Sequence, residues 1–327
     1  MNSILENFCM QSGVLSPLQL TPIRSGRNSA VYQVTCHQQK LILKHYFQHE
    51  GDKRDRLNSE YQFLSFLNRE KCALVAQPIA KDEQNNLALY SFLPGAQPIG
   101  ITDSHIHQAA SFILFLESLK THPNACNLPN AADSCTHIQQ HIDLVSRRIQ
   151  QLEQIQNTSA EVGDFISFLQ SELTPVWKNI QHEIIRNFHG EFDTQQLLTI
   201  SPSDFGFHNT LEFKNTLSFI DFEYAGWDSI AKLVCDFICQ PELPISEQQA
   251  SMFIKQIDHL VNDPNLVEQV NLLLPLHRLK WCCILLNVFR EVDKQRRAHS
   301  GVNIDNLQKQ QLIKAKCYFE QHLSRFK

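Results

Sequence analysis

Three polar residues near the middle of this 327-residue chain have types and spacing suited to chemistry. Asp204 is followed five residues later by Asn209, and Asp221 comes directly after an apolar run that ends at Ile220. A carboxylate can accept the proton of a hydroxyl group, and carboxylate and amide oxygens are ligands that Mg²⁺ prefers. Phosphoryl transfer from a nucleoside triphosphate needs both functions. The pattern therefore predicts Asp204 as the general base and Asn209 and Asp221 as Mg²⁺ ligands.

An aspartate five residues before an asparagine is common and has little meaning alone. The segments around these residues make the spacing more specific. Residues 197–200 predict a short strand that leads into the loop. Residues 210–213 and 217–220 predict a hairpin that turns at residues 214–216. Such a hairpin would return Asp221 to the side of Asn209, so that both could bind one ion. The alternative is that the two aspartates only form caps or turns, as aspartates often do.

This arrangement resembles the aminoglycoside phosphotransferase and choline kinase-like superfamily, whose usual catalytic loop reads His-Gly-Asp-x-x-x-x-Asn. The resemblance covers essentially the whole chain. It implies an α+β, two-lobed, protein-kinase-like fold: a small antiparallel sheet with one helix at residues 1–93, and a mainly helical lobe at residues 94–327. It also implies ATP- and Mg²⁺-dependent transfer of the γ-phosphate to a hydroxyl of a small metabolite, such as a sugar or amino alcohol.

The chain departs from that pattern in front of the aspartate, where Pro202-Ser203 replaces His-Gly. The missing histidine motivates an alternative, a catalytically inactive kinase fold that serves as a binding or regulatory module. A protein kinase is less favoured, because no Ala-Pro-Glu segment follows Asp221. The run His189-Gly190-Glu191 imitates a catalytic loop, but position 196 is glutamine instead of asparagine.

The resemblance also implies a nucleotide site upstream, with a loop over the phosphates, a lysine on the third strand and a glutamate on the next helix. Strands are predicted at residues 18–24, 30–34 and 40–44 and a helix at residues 54–68. Taken alone, the lysine would be interpreted as an exposed charge at the edge of a sheet. The glutamate would be interpreted as an ordinary solvent-exposed residue. The predicted nucleotide-binding residues of this part are Ser25, Gly26, Asn28, Ser29, Lys44 and Glu60, the last two as an ion pair.

A strand at residues 87–91 followed by Pro94-Gly95 predicts the hinge between the lobes. Backbone groups from Ser91 to Leu93 would then hydrogen-bond adenine, although the segment could equally be an ordinary buried strand and turn. In the resembled family the acceptor docks between the catalytic loop and the late helices. This implies that Phe207, His208, Glu223 and Trp227 contact the acceptor, with Arg278 and Trp281 opposite. For Trp281 a core position is favoured. The expected acceptor is small, rich in hydroxyl groups and not strongly cationic.

Composition limits the remaining possibilities. The chain has 29 basic and 34 acidic residues, so nucleic-acid binding is not supported. Most of the ten cysteines lie in apolar segments, which is typical of buried thiols in a reducing cytoplasm. The N-terminus lacks the basic and apolar stretches of a signal peptide. His277, Arg278 and Lys280 interrupt the apolar residues 272–289, so no membrane span is expected. The oligomeric state is left open.

Apolar periodicity predicts a series of helices beyond residue 100. Cys135, His137 and His141 form one cluster with zinc-like spacing, for which a surface helix is the favoured interpretation. Asp236 matches a further aspartate of the resembled family, which implies that it braces the catalytic loop. The predicted helices are residues 103–120, 138–152, 160–186, 229–239, 246–261, 266–291 and 305–326.

Overall fold

The N-terminal part of the chain forms a five-stranded antiparallel sheet with two helices. The computed structural model describes residues 2–23, 28–52, 54–156, 159–188, 196–261, 263–301 and 306–327. The strand order is β1-β2-β3-β5-β4, so that β3 lies in the middle of the sheet. The elements are α1 (Asn2–Gln11), β1 (Leu18–Ile23), β2 (Ser29–Cys36), β3 (Gln39–Tyr46), α2 (Arg56–Arg69), β4 (Pro78–Asp82) and β5 (Leu87–Ser91).

Helices make up most of the remainder. A short antiparallel pair, β6 (Leu198–Ser201) with β9 (Gly226–Ser229), and a hairpin of β7 (Thr210–Phe213) with β8 (Thr216–Phe219) interrupt them. The helices are α3 (Asp103–Ser118), α4 (Ile138–Glu153), α5 (Ala160–Phe168), α6 (Thr174–Asn187), α7 (Ile230–Cys239), α8 (Glu247–Val261), α9 (Leu266–Leu286), α10 (Glu291–His299) and α11 (Leu307–His322).

The predicted fold class is confirmed, and two helices add to the prediction. The helix α1 precedes the sheet and buries Leu5, Phe8 and Cys9 against its inner face. The predicted helix 266–291 stops at Leu286, and after one tight turn α10 starts at Glu291. Arg290 between them has an extended backbone, with φ of −84° and ψ of 137°. The sequence of α10 is rich in charge and poor in apolar residues, so apolar periodicity could not reveal it.

Two apolar cores hold the molecule together. The smaller core lies between α1 and the sheet. The larger core fills the helical part and also includes the apolar face of α2, for example Phe63, whose ring stacks on Phe222 at 4.9 Å between centroids. The helix α2 therefore packs against residues that follow the β7–β8 hairpin. The division into lobes at residues 93 and 94 stays a prediction.

The segment Leu266–Phe289 is long and apolar enough to cross a membrane, with a mean hydropathy of 1.4 in its most apolar window. Within that window, however, 67% of the residues are buried inside the protein. The central helix α9 of the larger core accounts for this segment, since its neighbours α4, α7 and α11 pack around it.

Candidate active site

The loop after β6 holds Asp204 in a fixed conformation. Ser203 adopts a positive φ of 67°, an uncommon backbone state for a residue with a side chain. The side-chain amide of Asn209 donates a hydrogen bond of 2.9 Å to the backbone carbonyl of Asp204. The backbone amide of Asn209 donates to the carbonyl of Gly206 at 3.0 Å. These contacts close the loop on itself and fix the separation of Asp204 and Asn209.

The hairpin β7–β8 returns the chain to Asn209. It turns at Lys214 and Asn215, as predicted, and both have positive φ values, of 50° and 63°. The backbone amide of Ile220 donates to the carbonyl of Asn209 at 3.0 Å, so that Asp221 follows directly beside Asn209. Asp204, Asn209 and Asp221 line one cavity of about 460 Å³. The spacing in the sequence thus corresponds to proximity in the structure.

Lys44 links this segment to the sheet. It lies inside β3, opposite Val31 of β2 and Ala88 of β5, instead of at the strand end as expected. Its Nζ lies 2.8 and 2.9 Å from the two carboxylate oxygens of Glu60 and 2.9 Å from Oδ1 of Asp221. Burial would lower the pKa of Lys44, but the charges of Asp221 and Glu60 hold that pKa well above its usual value. The structure thus contains the expected Lys44–Glu60 pair.

Glu60 is fixed by more than the lysine. Its carboxylate accepts hydrogen bonds from the Tyr46 hydroxyl at 2.7 Å and from the backbone amide of Phe222 at 3.3 Å. Its side chain is buried, with 2% exposure of the residue. The sheet, α2 and the segment after β8 therefore meet at one carboxylate, which orients Lys44 towards Asp221.

The donor atoms at Asn209 and Asp221 fit a Mg²⁺ ion. Lys44 contacts Oδ1 of Asp221, which leaves Oδ2 for another partner. The amide nitrogen of Asn209 is directed to the backbone of Asp204, which leaves its Oδ1 as the second oxygen. Mg²⁺ is typically bound through one or two protein oxygens together with the phosphates of the nucleotide. These two residues would hold the ion in that way.

The phosphate loop is described only in part. The predicted residues Ser25 and Gly26 lie outside the described residues. Asn28 and Ser29 both donate side-chain hydrogen bonds to the carboxylate of Glu223, the second at 3.1 Å. Burial, followed by the nearby charge of Asp221, raises the pKa of Glu223 to about 7. Glu223 therefore ties the end of the loop to the segment that carries Asp221.

This position corrects the expectation for Glu223 as an acceptor contact. Its residue exposure is 2%, and its oxygens are engaged by Asn28 and Ser29, with Nε of Arg56 at 3.8 Å. Phe207 is also unsuited to acceptor stacking, because it is 1% exposed and its ring packs edge-on against Phe237 at 5.4 Å. A sequence shows that an aromatic or acidic side chain is present, but not which way it faces after a turn.

Of the other expected acceptor contacts, His208 lines the cavity and Trp227 is not among its described lining residues. The indole of Trp227 donates to the carbonyl of Ala125 at 3.0 Å, on the far side of β9. The wall opposite contains Trp281, which is 6% exposed, so a largely buried residue also contributes to the cavity.

His208 occupies a position that sequence reasoning did not assign. Its Nε2 lies 3.2 Å from Oδ1 of Asp204, and its backbone carbonyl accepts a hydrogen bond from Gln97. A histidine therefore accompanies the catalytic carboxylate, although the sequence in front of Asp204 contains none. The four-residue spacing between them was the signal available in the sequence.

Asp236 joins two helices of the larger core. Its Oδ1 accepts hydrogen bonds from Lys280 and from the indole of Trp281, the latter at 3.1 Å, and its Oδ2 lies 3.4 Å from Lys232. Burial would raise its pKa, but the charges of Lys280 and Lys232 hold that pKa well below its usual value. Asp236 thus joins α7 to α9, and its bracing of the loop around Asp204 stays a prediction.

The zinc-like cluster separates in the structure. His141 is buried, and its ring nitrogens contact His277 at 3.0 Å and Gln196 at 2.8 Å. Cys135 is buried as well, and its backbone amide donates to Asp228 at 3.0 Å. The expected surface position is therefore wrong for both. Within the described part of the chain, no group of three His, Cys, Asp or Glu side chains is placed to hold a metal.

The segment expected to bind adenine begins at the end of β5. Ser91 closes β5 and exchanges hydrogen bonds with Gln77, through its backbone amide at 2.9 Å and its hydroxyl at 2.8 Å. Ser91 and Leu93 are half-buried. Gly95 follows with φ of +123°, where an added Cβ would lie 2.6 Å from the carbonyl oxygen of Glu212 in β7. The segment expected to be the hinge therefore lies directly against the β7–β8 hairpin, and its contact with adenine stays a prediction.

Solved structures of small-molecule kinases share this fold. A choline kinase from Cryptosporidium parvum Iowa II has a TM-score of 0.60 and 13% identity, over 99% of this chain and 98% of its own. A spectinomycin phosphotransferase solved with ADP and spectinomycin has a TM-score of 0.62 and 12% identity, over 96% and 98%. A Plasmodium vivax ethanolamine kinase has a TM-score of 0.59 and 15% identity, over 96% and 87%.

Sequence comparison places the chain in a family. No curated protein matches the sequence at a significant level. The sequence profile described as the phosphotransferase enzyme family matches residues 19–238, which is more than half of the chain and includes Lys44, Glu60, Asp204, Asn209 and Asp221. The chain therefore belongs to the phosphotransferase enzyme family.

Proposed function

We propose that this protein is an ATP- and Mg²⁺-dependent kinase that transfers the γ-phosphate to a hydroxyl group of a small metabolite. The observation that carries the proposal is the arrangement of Asp204, Asn209 and Asp221 at one cavity, with Lys44 bound to Asp221. Elements from both halves of the chain contribute to it, namely β3, the loop after β6 and the turn after β8. Membership of the phosphotransferase enzyme family supports the same chemistry.

In the proposed reaction Asp204 accepts the proton of the acceptor hydroxyl. The acceptor oxygen forms a bond to the γ-phosphorus while the bond from that phosphorus to the bridging oxygen of ADP breaks. The proton leaves later from Asp204 to solvent. His208, 3.2 Å from the carboxylate, and the Asn209 amide on the backbone of Asp204 limit the motion of the base. General-base assistance of this kind typically contributes a factor of about 10²–10⁴ in rate.

Lys44 would contact the α- and β-phosphates as a point charge, oriented by Glu60. Asn209 and Asp221 would hold Mg²⁺, which when bound neutralises charge on the β- and γ-phosphates. The ion pair between Lys44 and Asp221 holds both side chains in place at the position where the phosphates and the metal ion would bind. Ser91 and Leu93 are proposed to face adenine.

We also propose that the protein acts in a reducing compartment such as the cytoplasm. All ten cysteines are free thiols, and seven of them are buried, six in the two apolar cores. The alternative is a catalytically inactive binding module. A measurement of turnover distinguishes it from a kinase.

The test combines binding and turnover. Thermal stabilisation by ATP should require Mg²⁺ and should be lost in Asp221→Ala. A screen of hydroxyl acceptors by ADP release should then identify at least one substrate. Stabilisation without ADP release from any acceptor class would favour the inactive module, whereas no response to Mg²⁺ and ATP would contradict both.

A further inference from the structure

One wall of the cavity is strongly basic. The wall formed by α4 and by residues 287–297 presents one carboxylate, Asp293, among several guanidinium groups. The chain as a whole is acidic, with a formal net charge of −5, so this wall does not follow from its composition. The arginines that line this wall are Arg147, Arg148, Arg290, Arg296 and Arg297.

The carboxylates that pair with Arg148, Arg290 and Arg296 do not neutralise the charge of these three arginines. Asp133 is shared by Arg148, at 2.5 Å, and Arg54, at 3.4 Å. Asp293 is shared in the same way by Arg290, at 3.3 Å, and Arg296. Each acid thus faces two guanidinium groups, and positive charge remains.

Other acids of the lining are already committed elsewhere. Asp236 is held by Lys280 and Lys232, and Glu242 pairs with Lys314 at 2.8 Å. One arginine of the wall is not paired with any acid: Arg147 is exposed on α4 and has no ion-pair partner among the described residues.

Two of the arginines also have unused donors. The Nε groups of Arg148 and Arg296 are buried and have no hydrogen-bond partner within the described part of the chain. Leaving such a donor unsatisfied is costly, more so on a charged group. An oxygen ligand in the cavity would satisfy these donors, and Asp133 and Asp293 already hold the guanidinium groups in position.

The aromatic rings of the cavity are unsuited to a cationic acceptor. Cationic head groups bind over the faces of aromatic rings. The ring of Tyr224 already has Arg54 at 5.4 Å and Arg56 at 5.6 Å from its centroid. The ring of Trp281 has Nζ of Lys280 at 5.7 Å. The protein's own cations occupy these positions and would repel another positive charge.

We infer that the acceptor is a hydroxyl compound that also carries an oxyanion group, a carboxylate or a phosphate ester, which binds to the arginines of α4 and of residues 287–297. The inference rests on the proposed function, because it names the acceptor class of the same cavity. Guanidinium groups form paired, charge-assisted hydrogen bonds with both kinds of oxyanion. The hydroxyl group would then extend towards Asp204, which lines the same cavity.

The test uses polyols that differ only in charge. With a nonhydrolysable ATP analogue and Mg²⁺ saturating, calorimetry would measure binding of D-glucitol, D-gluconate, D-glucitol 6-phosphate and D-glucamine. We expect at least one acidic polyol to bind about tenfold or more tightly than glucitol, and glucamine to bind most weakly. The order of gluconate and glucitol 6-phosphate tells which oxyanion is preferred. Equal or weaker binding of both acidic polyols would overturn the inference.

Variants connect that binding to the arginines. Arg147→Gln and Arg290→Gln should each weaken binding of the preferred acidic polyol about tenfold, the scale of one charge-assisted hydrogen bond. Lys294→Gln is the matched control, since Lys294 lies on α10 outside the cavity lining and pairs with Glu291 at 3.7 Å. Arg147 is exposed, so its variant is expected to fold even if the Arg290 variant does not. Binding unaffected in the folded arginine variants would also refute the inference.

ADP release separates this inference from the proposed function. Release with a neutral or cationic acceptor that is insensitive to both arginine variants would leave the kinase activity standing and remove the acidic acceptor. Arginine-dependent binding of an acidic polyol without ADP release from any acceptor would support the acidic ligand and contradict the kinase activity.

Discussion

The position of Asp204 is restricted by its contacts with His208 and Asn209. Asp204→Asn keeps the size of the side chain but removes its ability to accept a proton. We expect the rate of phosphoryl transfer to fall by at least about a hundredfold, the scale of general-base loss. Thermal stability and the apparent affinity for Mg²⁺ and ATP should stay near those of the unmodified protein. ADP release and thermal unfolding measure both. Near-normal turnover of the variant on the true acceptor would contradict the assignment.

Lys44 and Glu60 can be separated by their effects on nucleotide binding. Lys44→Met removes the charge that faces the phosphates, so the apparent Michaelis constant for ATP should rise and the rate should fall. Glu60→Gln keeps that charge but weakens its anchor at 2.8 Å, so the same changes should be milder. Steady-state kinetics with varied ATP gives both values. An effect of Glu60→Gln larger than that of Lys44→Met would show that the glutamate does more than orient the lysine.

The sequence predicted the residues of this site whose order along the chain is informative. Lys44, Glu60, Asp204, Asn209 and Asp221 could be assigned because each follows a distinct strand, helix or loop signal. The sequence did not predict in which direction the neighbouring side chains point. The apolar ring of Phe207 and the carboxylate of Glu223 are adjacent to the site in sequence, yet packing turns both away from the cavity.

Among the elements, β9 depends on a glycine where two backbones touch. An added Cβ on Gly226 would lie 2.3 Å from the carbonyl oxygen of Pro129 and 2.6 Å from the amide nitrogen of Ala131. The chain there is held by the hydrogen bond from Trp227 to Pro129, at 2.8 Å. Gly226→Ala should therefore lower the free energy of unfolding by about 2–3 kcal/mol, because backbone must move to accept the methyl group. Chemical denaturation measures the loss.

Gly100→Ala is the matched control for this prediction, because an added Cβ on Gly100 meets no atom within 4 Å. An equal loss of stability in both variants would mean that the contact with Pro129 does not explain the effect, because the lower chain entropy of alanine would by itself stabilise the folded state. The strand β9 has four residues, Gly-Trp-Asp-Ser, and no apolar alternation. Sequence patterns therefore predicted the helix after it but not the strand itself, which exists because β6 and residues 129–131 pair with it.

For the whole molecule, buried histidines predict acid sensitivity. Burial lowers the pKa of His277 to about 4, against 6.5 for an ordinary histidine. Between these values the unfolded chain binds more protons than the folded one. The stability that the neutral ring contributes is therefore complete above about pH 6.5 and is lost as the pH falls to about 4. The free energy of unfolding should decrease over this range.

The variant His277→Gln should reduce that decrease by up to about 3 kcal/mol, the equivalent of the shift in pKa. His107→Gln, on the exposed side of α3, is the control. Denaturant unfolding at a series of pH values gives the comparison. If both variants keep the full decrease, groups other than His277 cause the acid sensitivity.

The apolar face of α2 has a further consequence for how the chain can be divided. Phe63, Phe66 and Leu67 are fully covered by the larger core, yet they precede the proposed boundary at residue 93. A polypeptide that ends there would expose these side chains, and the remaining polypeptide would lack the surface that covers Phe222. Neither fragment is expected to fold alone. Mixed together, the two should recover a native structure by fragment complementation, since each supplies the missing half of one shared core.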